Sequence, residues 1–290
     1  MRLTDKEKQA ARILARKDLY FFSRYMFLTR KGYAWQQSPH HKIICDKLMQ
    51  VFRGEIKNLI INLPPRYSKT ELAVVNFISW AFGQYPDCEF IHSSYSSALA
   101  TNNSSQIRDM VLHDENKAIF PNLHLKDDSK AKDHWKTTQG GVMYATGAGG
   151  TITGFGAGKL RDGFGGAILL DDPHKADEAR SETMRANVIN WFTETIKSRR
   201  NDPSKTPIII IMQRLHENDL SGYLLAGNDD DNWQHLKLPA IQADGTALWA
   251  QKHSIDKLHQ MQIASPYMFA GQYMQEPAPL DGGVFKPSSI

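Results

Sequence analysis

The sequence has 290 residues, 41% of them hydrophobic and 23% charged. That excludes a mostly disordered chain and fits one large α/β domain with small appendages. A formal charge of +4 admits a polyanionic partner without requiring one, and two cysteines, Cys45 and Cys88, exclude a disulfide scaffold and point to a reducing compartment. The N-terminus MRLTDKEKQAARILARKDLY is amphipathic and charged, not a signal peptide, and no apolar run reaches membrane-spanning length. A soluble intracellular protein is expected.

In chain order, residues 4–28 read as one or two helices and 39–53, PHHKIICDKLMQVFR, as another, from apolar residues at helical spacing. Short β-rich runs follow: NLIINL at 58–63, CEFIHSSY at 88–95, GGAILLDD at 165–172 and TPIIIIMQ at 206–213. Their unbroken Ile and Leu suit parallel strands covered on both faces. KTELAVVNFISWAFGQY and SSALATNNSSQIRDMVL lie between them with helical periodicity, and ADEARSETMRANVINWFTETIKSRR reads as one long charged helix. Alternation of strand and helix predicts a parallel sheet of at least five strands, including a shorter one near GVMYATG. Nine of the 20 glycines fall in 147–166, which reads as a mobile loop. The final segment, from SPYMFAGQYM onward, loses periodicity and resembles the start of a linker.

Two segments compete to hold a phosphate. Gly154-Phe155-Gly156-Ala157-Gly158-Lys159 has the glycines, but Leu160 follows the lysine and RDGFGG cannot open a helix. It reads as a flexible surface or substrate-facing loop. The segment NLIINLPPRYSKTELAVVNF has the context instead: a buried strand, then Pro64-Pro65-Arg66-Tyr67-Ser68-Lys69-Thr70, then an apolar helix. A phosphate loop needs bent backbone N–H groups, a lysine on the terminal phosphates, a hydroxyl for Mg²⁺ and a helix dipole behind. Arg66, Tyr67, Ser68, Lys69, Thr70 and Glu71 are the candidate donors, and Ser68 fits at a glycine position if its φ stays negative. AILLDDP supplies the partner motif, a buried strand ending in Asp171 for the metal and Asp172 for the water.

With both motifs in place the sequence resembles the ATPase domain of the large terminase subunit of tailed bacteriophages. The segments SPHHKIICDKLMQ, INLPPRYSKTELAV, SSYSSALA, TITGFGAG, AILLDDPHKADEARSE, IIIMQRLHENDLSGYL and FAGQYMQEPAPLDGGVFK carry the resemblance in order along nearly the whole chain. It implies an ASCE-type P-loop ATPase with a RecA-like, mainly parallel sheet and an N-terminal helical extension. The expected divisions are 1–55 for the helical and adenine-side region, 56–275 for the ATPase core and 276–290 for a linker. It implies ATP and Mg²⁺ as ligands and a ring, a pentamer by the family pattern, that moves double-stranded DNA into a procapsid. The implied partners are a small terminase subunit and a portal protein, with the protein in the host cytoplasm and transiently docked on the portal.

Carried over residue by residue, Lys69 contacts the β and γ phosphates, and Thr70 and Asp171 hold Mg²⁺. Gln36 or Gln37 lies on the adenine side, and Gln213 and Arg214 sense the γ-phosphate. Ser68 stands where most members have glycine, and Asp172 where many have a catalytic glutamate; Glu178 or Glu182 are substitutes for that acid. Arg66 is the cis arginine candidate, and Arg199 or Arg200 a candidate for a neighbour's site or a helix C-terminus. His216 is the histidine singled out by the match, with a loop or packing role as its alternative. The nuclease domain of the family would follow DGGVFKPSSI, so no DNA cleavage is expected of these residues. A helicase-like DNA-dependent ATPase and a nucleotide-binding assembly module with little turnover are the alternative functions.

Overall fold

The computed structural model describes residues 3–129 and 131–278. Helix α1 (Asp5–Lys17) opens with a reciprocal capping box between Thr4 and Glu7. Asp18 ends it and caps α2 (Leu19–Lys31) by accepting from the Phe21 amide at 2.6 Å, so a single acid joins two successive helices. Helix α3 (Pro39–Phe52) begins with proline at its first position, where the missing N–H costs nothing.

Strand β1 (Asn58–Asn62) then enters the sheet. Through a wide π-type stretch, Glu71–Asn76, the chain passes into α4 (Phe77–Gln84). The order continues with β2 (Glu89–Ser94), α5 (Ser97–Leu112), α6 (Asp114–Ile119), β3 (His134–Lys136), β4 (Val142–Gly147) and β5 (Gly166–Asp171). Beyond these lie α7 (Glu182–Trp191), β6 (Ile208–Met212), α8 (Leu220–Leu225), β7 (Gln234–Lys237), α9 (Ile255–Ala264) and α10 (Pro266–Met268).

The seven strands are ordered β3-β4-β2-β5-β6-β1-β7, and only β3 runs antiparallel to its neighbour. The central strands are apolar without alternation because both faces are covered. Leu59, Ile61, Leu169, Ile209 and Ile211 pack under the N-terminal helices, α4 and α5. Ile60, Ile168, Leu170, Ile208 and Ile210 pack on the other face with Trp191, Phe192 and Leu224. Each such side chain contributes about 1.5–3 kcal/mol of burial.

The structure differs from the sequence reading in four places. The two edge strands β3 and β7 were not anticipated: β3 has three residues and β7 is mostly exposed, too short and too polar to show a buried-strand pattern. The long charged helix begins only at Glu182, capped by Ser181, and after Trp191 loosens into π-type (Phe192–Ile196) and 3₁₀ (Lys197–Arg199) turns. The segment from Pro266 remains helical through Tyr273 because Phe269 is buried against Ala240 and Leu258. The expected linker lies, from residue 279 on, outside the described residues.

The glycine-rich loop is tied down. Ala157 donates to the Arg199 carbonyl at 2.8 Å and accepts from the Asn201 amide at 2.9 Å. Among the described residues no helix is long and apolar enough to cross a membrane. Cys45 and Cys88 are both buried and unpaired as thiols.

Candidate active site

Sheet topology sets the site. β6 lies between β1 and β5, so the carboxyl ends of three adjacent parallel strands present Lys69 and Thr70, Gln213, and Asp171 with Asp172 along one edge. Parallel strands open such a crevice because every connection leaves from the same end.

The loop after β1 is bent at Arg66 (φ 65°) and Ser68 (φ 66°), both in the left-handed region. The expectation that Ser68 keeps a negative φ is therefore corrected. The bend needs left-handed residues whether or not they are glycine, at roughly 1–2 kcal/mol each. The intervening Tyr67 holds this geometry. Its side chain is fully buried, its carbonyl lies 3.2 Å from His40 Nε2, and its hydroxyl lies 3.0 Å from His253 Nδ1. Burial pushes the His40 pKa down to about 4, so the ring is neutral at neutral pH. The Ser38 hydroxyl oxygen lies 2.7 Å from its Nδ1, so the neutral ring has a polar neighbour at each nitrogen. From Lys69 onward the chain is helical, with the Leu72 amide donating to the Ser68 carbonyl at 3.0 Å.

Across the crevice, Lys69 Nζ lies 2.7 Å from Asp172 Oδ2. The Thr70 hydroxyl donates to Asp171 Oδ2 at 2.7 Å. Asp172, itself at φ 46°, accepts from the Gln213 amide at 3.2 Å. Asp171 is 2% exposed, and burial first, then the neighbouring Asp172 carboxylate, push its pKa up to about 7 against Lys69 and Thr70. Its other oxygen, Oδ1, is buried without a hydrogen-bond partner, as is Gln213 Oε1. A carboxylate with one orphaned oxygen beside a threonine hydroxyl is an oxygen donor set suited to a hard divalent cation such as Mg²⁺. These groups border a cavity of about 570 Å³ that also touches Phe27, Trp35, Asn103 and Lys252.

The sequence-predicted residues divide accordingly. Arg66, Ser68, Lys69, Thr70, Asp172 and Gln213 line the cavity, and Asp171 stands immediately behind Thr70. Glu71 lines it too but pairs with Arg30 at 3.0 Å. Tyr67 supports the loop from beneath. Gln36 and Gln37 are exposed and off the cavity wall; Gln37 accepts from the Tyr20 hydroxyl at 3.1 Å, and Trp35 takes the wall position instead. Arg214 is buried, with Nε donating to both Asp219 oxygens at 2.9 and 3.0 Å, so it braces the 214–219 turn away from the cavity.

Glu178 is half-buried and Glu182 exposed, and both are outside the cavity. Arg200 pairs with Asp231 at 3.0 Å, and Arg199 donates to the Ile152 carbonyl at 3.0 Å. His216 accepts from the Asn218 amide at 3.0 Å as a loop histidine. In the competing loop, Lys159 is bound to Glu89 at 2.5 Å, which fixes it outside the crevice.

Sequence reasoning missed Phe27, Trp35, Asn103 and Lys252. The Phe27–Trp35 pair, stacked with ring centres 5.5 Å apart, was visible as aromatics beside the glutamines; Lys252 carried no local signal.

No family model and no curated protein matches the sequence, whereas solved structures match its fold. The HK97 bacteriophage large terminase aligns with 90% of this chain and 55% of its own at TM-score 0.55 and 12% identity. An arginine-to-alanine variant of the Thermus phage P74-26 large terminase ATPase domain aligns with 87% of this chain and 98% of its own, at TM-score 0.51 and 11% identity. The chain has the large terminase ATPase fold. A third terminase, from a thermophilic bacteriophage in complex with ADP, aligns at TM-score 0.51 and 12% identity over 82% of this chain and 52% of its own. The chain thus spans about half the length of the two longer terminases. Its seven-stranded, mostly parallel sheet is the RecA-like sheet of that fold.

Proposed function

We propose that the chain is the ATP-hydrolysing motor domain of a phage large terminase, moving double-stranded DNA without sequence preference. The observation that carries this reading is the pair of contacts Lys69–Asp172 and Thr70–Asp171, which join the ends of β1 and β5 at a cavity. The terminase fold supports it by placing those ends in one row.

In the reaction, the amides from Arg66 to Glu71 and the dipole of the following helix hold the phosphates. Lys69 exchanges its Asp172 partner for phosphate oxygens. Asp172, released from the ammonium and still held by the Gln213 amide, is placed to orient the attacking water. Thr70 and Asp171 would hold Mg²⁺, which when bound neutralises charge on the phosphates. Gln213, bonded to Asp172 through its backbone and lining the cavity with its side chain, links phosphate occupancy to the 213–219 turn. Arg66, exposed at the rim, is the arginine of this chain best placed to meet charge on the γ-phosphate.

DNA would be held through lysines and arginines on its phosphates, in a ring assembled with portal and small subunit. The test is release of phosphate from MgATP by the purified chain, by Lys69→Ala and by Asp171→Asn. Turnover in the wild type that both substitutions remove is expected. Equal turnover in all three would sink the reading.

A further inference from the structure

One residue of the cavity wall, Lys252, comes from a turn 183 positions after Lys69 in sequence (252 − 69). Its ammonium lies 5.4 Å from the centre of the Trp249 ring and 6.0 Å from that of Tyr67. Among the described residues it forms no ion pair. Aromatic faces attract an ammonium but do not neutralise it. The charge is therefore held at the cavity wall and left without a counter-anion. By contrast Lys69 is paired with Asp172, and Glu71 is paired with Arg30.

The platform under Lys252 is rigid and built from the phosphate loop itself. Tyr67 is the residue between the two left-handed positions, and it is fixed by His40 from one side and by His253, the neighbour of Lys252, from the other. Trp249 is buried between the Tyr67, His40 and His41 rings. The Leu248 carbonyl accepts from the Ser38 hydroxyl at 2.8 Å. The turn 248–253 is thus registered against both the loop and the start of α3, which fixes where the Lys252 side chain leaves the backbone.

We propose that Lys252 is a second nucleotide-binding cation, contacting the anionic phosphates of the nucleotide that the loop at 64–71 holds, and tying that nucleotide to the turn that leads into α9. This inference rests on the nucleotide reading of the cavity. An uncompensated ammonium at a cavity wall strengthens binding of an anion and does little for a neutral ligand. Because the contact exists before and after γ-phosphate cleavage, its loss would weaken triphosphate and diphosphate alike. It would appear in KM more than in kcat.

The experiment is calorimetric titration of the purified chain with MgADP and, separately, with adenosine, for the wild type, Lys252→Met, Lys252→Arg and Lys69→Ala. Methionine keeps an unbranched apolar stem over the two rings and removes the charge. About tenfold weaker MgADP binding is expected for Lys252→Met, with recovery in Lys252→Arg, unchanged adenosine binding and a shallower dependence on salt. Unchanged MgADP affinity in Lys252→Met, when Lys69→Ala has lost it, would overturn the proposal and leave the nucleotide reading intact. Equal weakening of adenosine would also overturn it, since the role would then be packing. No MgADP binding by the wild type would overturn the nucleotide reading itself, and this proposal with it.

Discussion

The candidate phosphate loop at 64–71 contains no glycine, whereas the segment 147–166 contains nine, including a Gly-x-Gly-x-Gly-Lys run. Yet the first is bent at Arg66 and Ser68 with Lys69 facing a carboxylate in a crevice, and the second has its lysine, Lys159, bound to Glu89. The difference lies in what each loop is attached to. The first joins a central parallel strand to a helix, so its backbone donors and its lysine point where a helix dipole already favours an anion. The second runs from the end of β4 back to the start of β5 and is spent on hydrogen bonds to residues 199–201. Glycine makes a left-handed bend easy. In the phosphate loop the surrounding packing makes it, through Tyr67.

The largest separation of the two loops is expected in catalysis. Lys69→Ala should lower MgATP turnover at least about 10²-fold, whereas Lys159→Ala should leave it unchanged. A phosphate-release assay of both variants decides it, and the reverse pattern would exchange the roles of the loops.

Acid provides the next separation, because the support of the phosphate loop is a buried neutral imidazole. The His40 pKa falls from 6.5 to about 4 on folding. Its contribution is fully present above pH 6.5 and is lost as pH falls from 6.5 towards 4, where the unfolded chain binds a proton that the folded chain does not. The loss amounts to about 3 kcal/mol at most. Urea unfolding at pH 7, 5.5 and 4 should therefore show a steeper decline for the wild type than for His40→Gln, which has no such proton to bind.

Backbone chemistry sharpens the comparison further, with opposite signs in the two loops. Gly158 has φ 88° and a Cβ there would collide with the Thr206 hydroxyl, so Gly158→Ala should destabilise by about 2–3 kcal/mol in urea melts. Ser68→Gly should stabilise by about 1 kcal/mol, as relief of the left-handed serine outweighs the added freedom of the unfolded chain. A Ser68→Gly variant less stable than wild type would show that the serine hydroxyl contributes more than the strain it imposes.

Much of the site was legible because its elements announce themselves locally. Unbroken Ile and Leu runs gave the central strands, and a strand-Lys-Thr-helix order paired with a strand-Asp-Asp end gave Lys69, Thr70, Asp171 and Asp172. The errors fall where a side chain is captured by a partner that strand and helix periodicity does not reveal. Arg214 follows a central strand just as a sensing residue would, but Asp219, five positions on, captures its side chain. Gln36 and Gln37 sit beside the cavity wall, and the aromatic Trp35 occupies it because its ring packs on Phe27 and His41.

The sequence by itself determined the two motif strands and singled out the four residues that the structure brings together at their ends, since each is encoded by neighbours within one strand and its turn. Only the tertiary structure decided that Ser68 is left-handed, that Tyr67 is clamped by His40 and His253, and that Lys252 faces the same cavity. Those outcomes depend on burial and on contacts between segments up to 210 positions apart, and local periodicity carries no information about either.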